Sequence, residues 1–192
     1  MNLILLQAGN PDIFGDAGGW NQGASLAGNA LRDTVPDLDH CIELVSLQQG
    51  LKQQITTDVS NSARTSGRPI ITELTLTKYA DQASVKFYDY CLRAEPLGKG
   101  KDQPTRIYIA RNSGESTANN ATRIMTIALR DAIISEIQLQ SHPDDMPTEQ
   151  FKLSFTEILW TYTVQKADLA MAGKQTTGWS IARNRPIGKF TD

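Results

Sequence analysis

The chain has 192 residues, 40 % of them hydrophobic, which suits one domain with a sizeable core and would be cramped for two. With 19 Lys and Arg against 21 Asp and Glu, the formal charge of −2 leaves no basic excess to steer the protein toward nucleic acid or an anionic membrane. The only early apolar run, Leu3-Ile4-Leu5-Leu6, has no basic lead-in and is far too short for a signal-peptide core or a spanning helix, so the chain is expected to start in the cytoplasm.

Residues 2–8 read as a first strand, and residues 9–39 as an unusually long loop, rich in Gly, Asn, Asp and Pro. A second strand is expected over 41–47. The following stretch, QQGLKQQITTDVSNSARTSGR at 48–68, is polar and nearly free of aromatics, which suits an extended loop or a protruding hairpin. Ile70, Thr72, Leu74 and Leu76 alternate with Glu73, Thr75 and Thr77, predicting a strand over 70–77. The chain then changes period. Over about 84–94, Val85, Phe87, Tyr88, Cys91 and Leu92 fall on one face of a helix and Lys86, Asp89 and Arg93 on the other. Ser84 is placed to cap the first turn through its hydroxyl, and Arg93 to complement the dipole at the last. A single amphipathic helix among strands must lay its apolar stripe on a barrel opening or a sheet edge.

Further strands are expected over 106–111, 123–129, 133–140, 150–163 and 178–182, separated by Gly, Pro, Asn or Ser clusters. Within 150–163, Phe151, Leu153 and Phe155 share one face, whereas the apolar series continues on the other parity at Ile158, Trp160 and Tyr162. A slip of one residue at Thr156-Glu157 reads as a β-bulge, and bulges bend long strands around strongly curved sheets, which favours a barrel over a flat sandwich. Trp160 and Tyr162 are expected in the core rather than on a stacking platform for bases.

Sites for chemistry are sparse. His40 leads into a strand, where a structural role is expected, and His142 sits in the turn SHPDD; neither belongs to a catalytic motif. Asp144-Asp145 read as a solvated turn rather than a working carboxylate pair. Gly9, Gly15, Gly18, Gly19 and Gly23 match no phosphate-binding pattern. Cys41 and Cys91 lack metal-ligand spacing and read as reduced, partly buried thiols. No catalytic residue, cofactor or metal is expected.

The runs HCIELVSLQQG, ELTLTKYADQAS, IALRDAIISEI, PTEQFKLSFTEILWTYT and TGWSIARN, with Leu3 to Gln7 before them, occur in an order that resembles the Hcp family, the haemolysin-coregulated inner-tube proteins of type VI secretion systems. Two departures stand out: Val85 replaces a proline common in the family, and the loop 9–39 is longer than usual. The resemblance implies a mainly β fold, a squat β-barrel of two curved sheets with one flanking helix and an extended loop, spanning 1–192 as a single domain. The loop 9–39 would then be an insertion and 185–192 a short C-terminal tail, too short for a fused effector domain. It further implies a structural subunit rather than an enzyme: a homo-hexameric ring, stacked into a tube that meets sheath and spike proteins, carries small effectors in its lumen and is secreted without a signal peptide. By the same resemblance, Ser46 and Gln48 face the lumen, and Thr56, Thr57, Asp58, Arg64 and Thr65 on the extended loop make ring or stacking contacts. A phage tail-tube or spike-associated protein of the same fold, and a small hydrolase on a barrel, are the alternatives.

Overall fold

A computed structural model describes residues 2–13, 41–58, 63–112, 121–165 and 171–192. Most of the loop assigned to 9–39 therefore lies outside the described residues, as do His40, Gly15, Gly18, Gly19 and Gly23. The strands in chain order are β1 (Asn2–Gln7), β2 (Cys41–Leu44), β3 (Ser46–Gln48), β4 (Leu51–Lys52), β5 (Ile55–Asp58), β6 (Ala63–Ser66), β7 (Ile70–Ile71) and β8 (Leu74–Tyr79). After the helix α1 (Ser84–Arg93) come β9 (Thr105–Asn112), β10 (Ala121–Arg130), β11 (Ile133–Gln140), β12 (Thr148–Ser154), β13 (Glu157–Gln165), β14 (Met171–Ser180) and β15 (Arg185–Ile187).

Two antiparallel sheets carry the fold. One has seven strands in the order β15-β14-β13-β10-β9-β1-β2, the other four in the order β11-β12-β8-β3; β4-β7 and β5-β6 form small separate pairs. The core lies between them: Leu6, Ile107, Ile127 and Ile158 from the large sheet meet Leu74, Leu76, Phe151 and Leu153 from the small one, with Phe87 of α1. The architecture is the expected mainly β one, with curved sheets that do not close on themselves and one flanking helix.

Three expected strands are broken where the chain passes between pairings. Residues 41–47 divide at Val45, half exposed, because β2 pairs with β1 in the large sheet and β3 with β8 in the small one. Residues 70–77 divide at Thr72 and Glu73; the Thr72 amide donates to Gly50 O at 3.0 Å, and its hydroxyl accepts from the Gly50 amide at 2.8 Å, fixing the corner. The long strand over 150–163 is two strands in different sheets, and the parity slip at Thr156-Glu157 is a crossing rather than a bulge in one ladder. The crossing is held by the Thr156 amide donating to Arg130 O (3.1 Å) and Ile181 N donating to Thr156 O (3.0 Å). Phe151, Leu153, Phe155 and Ile158 are buried as the pattern requires, whereas Trp160 is half-buried and Tyr162 half exposed. Neither cysteine is in a disulfide; Cys41 is buried and Cys91 half-buried.

Helix α1 has its expected limits and a different inner face. Val85 and Leu92 are 69 % and 87 % exposed; the buried stripe is Ser84 and Phe87, followed by half-buried Tyr88 and Cys91. The cause is Lys78. Continuing the inward parity of Leu74 and Leu76, it is fully buried, and an ammonium taken out of water needs acceptors on every side. Its amine donates to Tyr79 O (3.0 Å), Asp81 Oδ1 (2.8 Å) and Ser84 Oγ (2.8 Å) and stands 3.2 Å from Glu149 Oε2 across the β8–β12 ladder. The Ser84 hydroxyl is thus spent on Lys78 and on the Asp81 amide (3.0 Å), and makes no helix cap. Just upstream, Asp81 closes an Asx turn by accepting from the Ala83 amide at 2.9 Å. Tyr88 donates its hydroxyl to the other oxygen of Glu149, a hydrogen bond to a carboxylate that pushes the phenol up to about 12. At the other end Ala94 takes the left-handed conformation (φ 51°), and Glu95 N donates to Tyr90 O at 3.0 Å. Arg93 pairs with Asp89 at 2.8 Å. Beyond the helix, Gly98 passes Gly9 so closely that a Cβ on either would overlap the Gln103 carbonyl, and Asn10 N donates to Leu97 O at 2.7 Å.

The C-terminal segment is tied down as well. Past β15, Thr191 donates its amide (2.9 Å) and its hydroxyl to the buried Glu157 carboxylate, while Arg130 Nη1 reaches Thr191 O (2.6 Å) and Glu157 Oε2 (3.3 Å). Burial pushes the Glu157 pKa up, but hydrogen bonds from Thr191, Ser180 and Arg130 outweigh it and hold the carboxyl below its ordinary value.

Candidate functional site

The four-stranded sheet has two unlike faces. Inward parity gives Leu47, Leu76, Phe151 and Ile137 in one row across the strands, and Leu74, Leu153 and Ile134 in the next. Outward parity gives two wholly polar rows. Ser46 lies opposite Thr77, Thr77 opposite Gln150, and Gln150 opposite Gln138; Gln48 lies opposite Thr75, then Lys152, then Glu136. These side chains are half-buried or exposed. A strand buried on one side only alternates in this way, and among the described residues no element covers the polar face.

Ser46 and Gln48, singled out from the sequence, stand together on this face at its β3 edge. Lys152 donates to Glu136, which also accepts from Gln138. The ammonium lowers the carboxyl's pKa and the carboxylate raises the amine's, so the pair stays ionised near neutral pH. At the β3 end, Trp160 Nε1 donates to Gln49 Oε1 at 3.0 Å, fastening the β3 exit to the large sheet. A shallow polar depression of about 470 Å³ lined by Gln48, Gln49, Gly50, Thr72, Glu73, Thr75 and Lys152 opens there.

The second group of predicted site residues is elsewhere. Thr56, Thr57 and Asp58 of β5 lie opposite Thr65, Arg64 and Ala63 of β6, in a hairpin that pairs with no other strand among the described residues. It is the protruding hairpin expected over 48–68. Thr75, Thr77, Glu136, Gln138, Gln150 and Lys152 belong to the polar face and escaped the sequence reading. Their signal was available as the polar parity of strands whose apolar parity was read.

Among the described residues the candidate catalytic side chains are not brought together. His142 is exposed and its Nε2 lies 2.8 Å from Gln140 Nε2, while Asp144 and Asp145 sit in the exposed turn, Asp144 with φ 68°. Among the described residues no group of three or more His, Cys, Asp or Glu side chains is arranged to hold a metal ion, and no helix is long and apolar enough to cross a membrane.

Among the described residues the subunit thus presents one wholly polar sheet face and a hairpin that pairs with no other strand. The chain belongs to the Hcp family: the family described as "Type VI secretion system effector, Hcp" matches residues 25–162. It is a tube subunit of the type VI secretion system. Solved structures repeat the fold along nearly the whole chain. A type six secretion system protein is 17 % identical with a TM-score of 0.70, covering 97 % of this chain and 100 % of that one. Hcp1 from Salmonella typhimurium is also 17 % identical, with a TM-score of 0.62 over 97 % of this chain and 99 % of that one. A type VI secretion system effector from Yersinia pestis is 15 % identical, with a TM-score of 0.56 over 93 % and 99 %. No curated protein matches the chain.

Proposed function

We propose that six copies of this chain close into a ring whose inner wall is the polar face of the four-stranded sheet, and that rings stack into a tube carrying small effectors. The observation that carries this reading is the pair of polar rows running from Ser46 to Gln138 and from Gln48 to Glu136. A water-filled channel needs a wall of hydrogen-bonding groups that no element of the same subunit covers. The hairpin residues Thr56, Thr57, Asp58, Arg64 and Thr65 reach a neighbouring subunit in the ring or the stack, and the sheath and spike of the secretion machine meet the outside and the end of the tube. Assembly takes place in the cytoplasm and secretion follows through the machine itself. With a net charge of −2, rings repel one another weakly at long range.

Negative-stain microscopy of the purified protein is expected to show hexameric rings; a monomeric mass by light scattering at micromolar concentration overturns the reading. For the wall, Ser46→Gln is expected to abolish effector co-purification while rings persist. Retention of the effector at the parent level removes Ser46 from the cargo surface and leaves the tube standing.

A further inference from the structure

A cleft of about 630 Å³ opens between the hairpin root and the large sheet, and none of the polar-row residues lines it. Its walls are apolar, with Leu51, Ile70 and Ile71 on the hairpin side and Trp160, Trp179 and Pro186 on the other. Leu51 and Ile70 are 64 % and 45 % exposed, uncovered apolar area of the kind that marks an interaction site. The walls are also held in place. Arg68 Nη2 donates to Ile181 O at 2.7 Å, tying the hairpin root to the chain just past β14, and the Trp160 indole is fixed through Gln49. A partner entering between walls already fixed loses less entropy in ordering them.

The rim of the cleft is basic. Lys52 stands in the lining, Arg68 sits between the lining residues Gly67 and Pro69, and Arg183 and Arg185 flank the lining residue Asn184. All four are exposed, and among the described residues none is paired with a carboxylate. Among the described residues no acidic side chain lines the cleft, and the one acid of the adjoining depression at Pro186, Asp192, is paired with Lys101. The chain as a whole carries a formal charge of −2, so this excess of base is local.

We propose that the cleft docks an acidic segment of a different polypeptide, its apolar side chains between the two tryptophans and Leu51 and its carboxylates against Lys52, Arg68, Arg183 and Arg185. Aromatic walls supply the contact on which binding energy concentrates, and the charge around them selects the partner and its orientation. Nucleic acid fits less well, because the chain is negative overall and the Leu and Ile walls offer phosphates and sugars no partner. The chain's own exposed apolar side chains also fit less well. Val85 and Leu92 on α1 stand among Lys86 and Arg93 as much as among Asp89 and Glu95. The acidic turn Asp144-Asp145 offers Met146 as its large exposed hydrophobic side chain, which would leave most of a cleft of about 630 Å³ open. Docking of this kind needs one subunit only, whether or not rings form.

The test titrates the full chain with a short fluorescein-labelled peptide made of Asp, Glu, Leu and Phe, read by anisotropy and by the emission of the protein's tryptophans, which the peptide lacks. The peptide is expected to bind, less tightly as salt screens the rim, and a control with every acid replaced by its amide is expected to bind about tenfold more weakly. Lys52→Glu combined with Arg185→Glu is expected to lower the affinity by a similar factor and to flatten its salt dependence, with a melting curve matching the parent's. Leu51→Ser is expected to lower the affinity and keep the salt dependence. Should the double variant melt early, Arg185→Glu alone repeats the measurement. A parent that does not bind the peptide, an amide control that binds equally well, or variants that bind like the parent overturn the proposal. So does an oligothymidylate that displaces the probe better than unlabelled acidic peptide does, which would assign the rim to nucleic acid. An unlabelled peptide spanning Ser141 to Thr148 that displaces the probe equally well assigns the cleft to a second copy and overturns the proposal while the tube reading survives. A parent that binds the probe as a monomer sustains the proposal and overturns the ring reading alone.

Discussion

The two ends of the four-stranded sheet treat their awkward groups differently. Under α1, the buried Lys78 ammonium and Glu149 carboxylate are served entirely by their own chain, from Asp81, Ser84, Tyr88 and a backbone carbonyl. At the hairpin root, Leu51, Ile55 and Ile70 stay in solvent, and among the described residues the β5–β6 pair joins no other ladder. The first region completes the fold; the second leaves apolar side chains in solvent. A charge buried in the subunit must be paired there because unpaired it costs several kcal/mol, whereas apolar surface on an assembling subunit can wait for its neighbour.

The largest expected effect breaks the first region. Lys78→Ala leaves the Glu149 carboxylate buried without its cation and should cost about 3–5 kcal/mol, read by chemical denaturation of the isolated subunit. Adding Glu149→Gln, which keeps an acceptor for Tyr88, should recover a large part of that loss. A Lys78→Ala subunit as stable as the parent would show that the helix seat does not depend on the ion pair.

How much of this contrast was legible in the sequence differs between the regions. The alternation of Leu74 and Leu76 with Thr75 and Thr77 located both faces of β8, and the slip at Thr156-Glu157 marked a real change of face. Periodicity reports which side of a sheet a residue occupies and not which sheet, so a crossing between sheets read as a bulge. Apolar spacing also set the limits of α1 but misassigned its inner face, because a helical wheel ranks Val85 above Ser84 and cannot see the Lys78 amine that needs the Ser84 hydroxyl. On the polar face, Ser46 and Gln48 came from the family resemblance. Their neighbours Thr77, Gln150 and Gln138 are brought alongside only by long-range register, which a single sequence does not print.

An intermediate effect concerns Glu157, which closes the large sheet against the C-terminal segment. Its folded pKa is lowered, so its contribution is present above the ordinary carboxylate range and lost as pH falls through the lowered value. Acid unfolding of the parent should therefore steepen below about pH 4. Glu157→Gln should cost about 1–3 kcal/mol at neutral pH, the range for hydrogen bonds to a charged group, and should flatten that part of the profile. An unchanged acid limb would assign the titration to other carboxylates.

The smallest effect on the subunit is expected from the hairpin. Among the described residues, 55–58 pair only with 63–66, and a lone two-stranded hairpin is marginal in water, so the arm is expected to contribute little to the subunit's folding free energy. Ile55 and Ser66 lie opposite each other at its base, and next to them Gly67 N donates to Gln54 O at 2.8 Å, so the base remains closed if the tip is removed. Replacing residues 56–65 by Asn-Gly, the pair that suits a two-residue hairpin turn, should leave the subunit's unfolding free energy within about 0.5 kcal/mol of the parent's. Ring closure or stacking should nevertheless fail, since the deleted residues would reach the neighbouring subunit. A large loss of subunit stability would place the arm with the Lys78 region, as part of the fold. Unchanged stability with unchanged stacking would instead show that the arm serves neither fold nor tube.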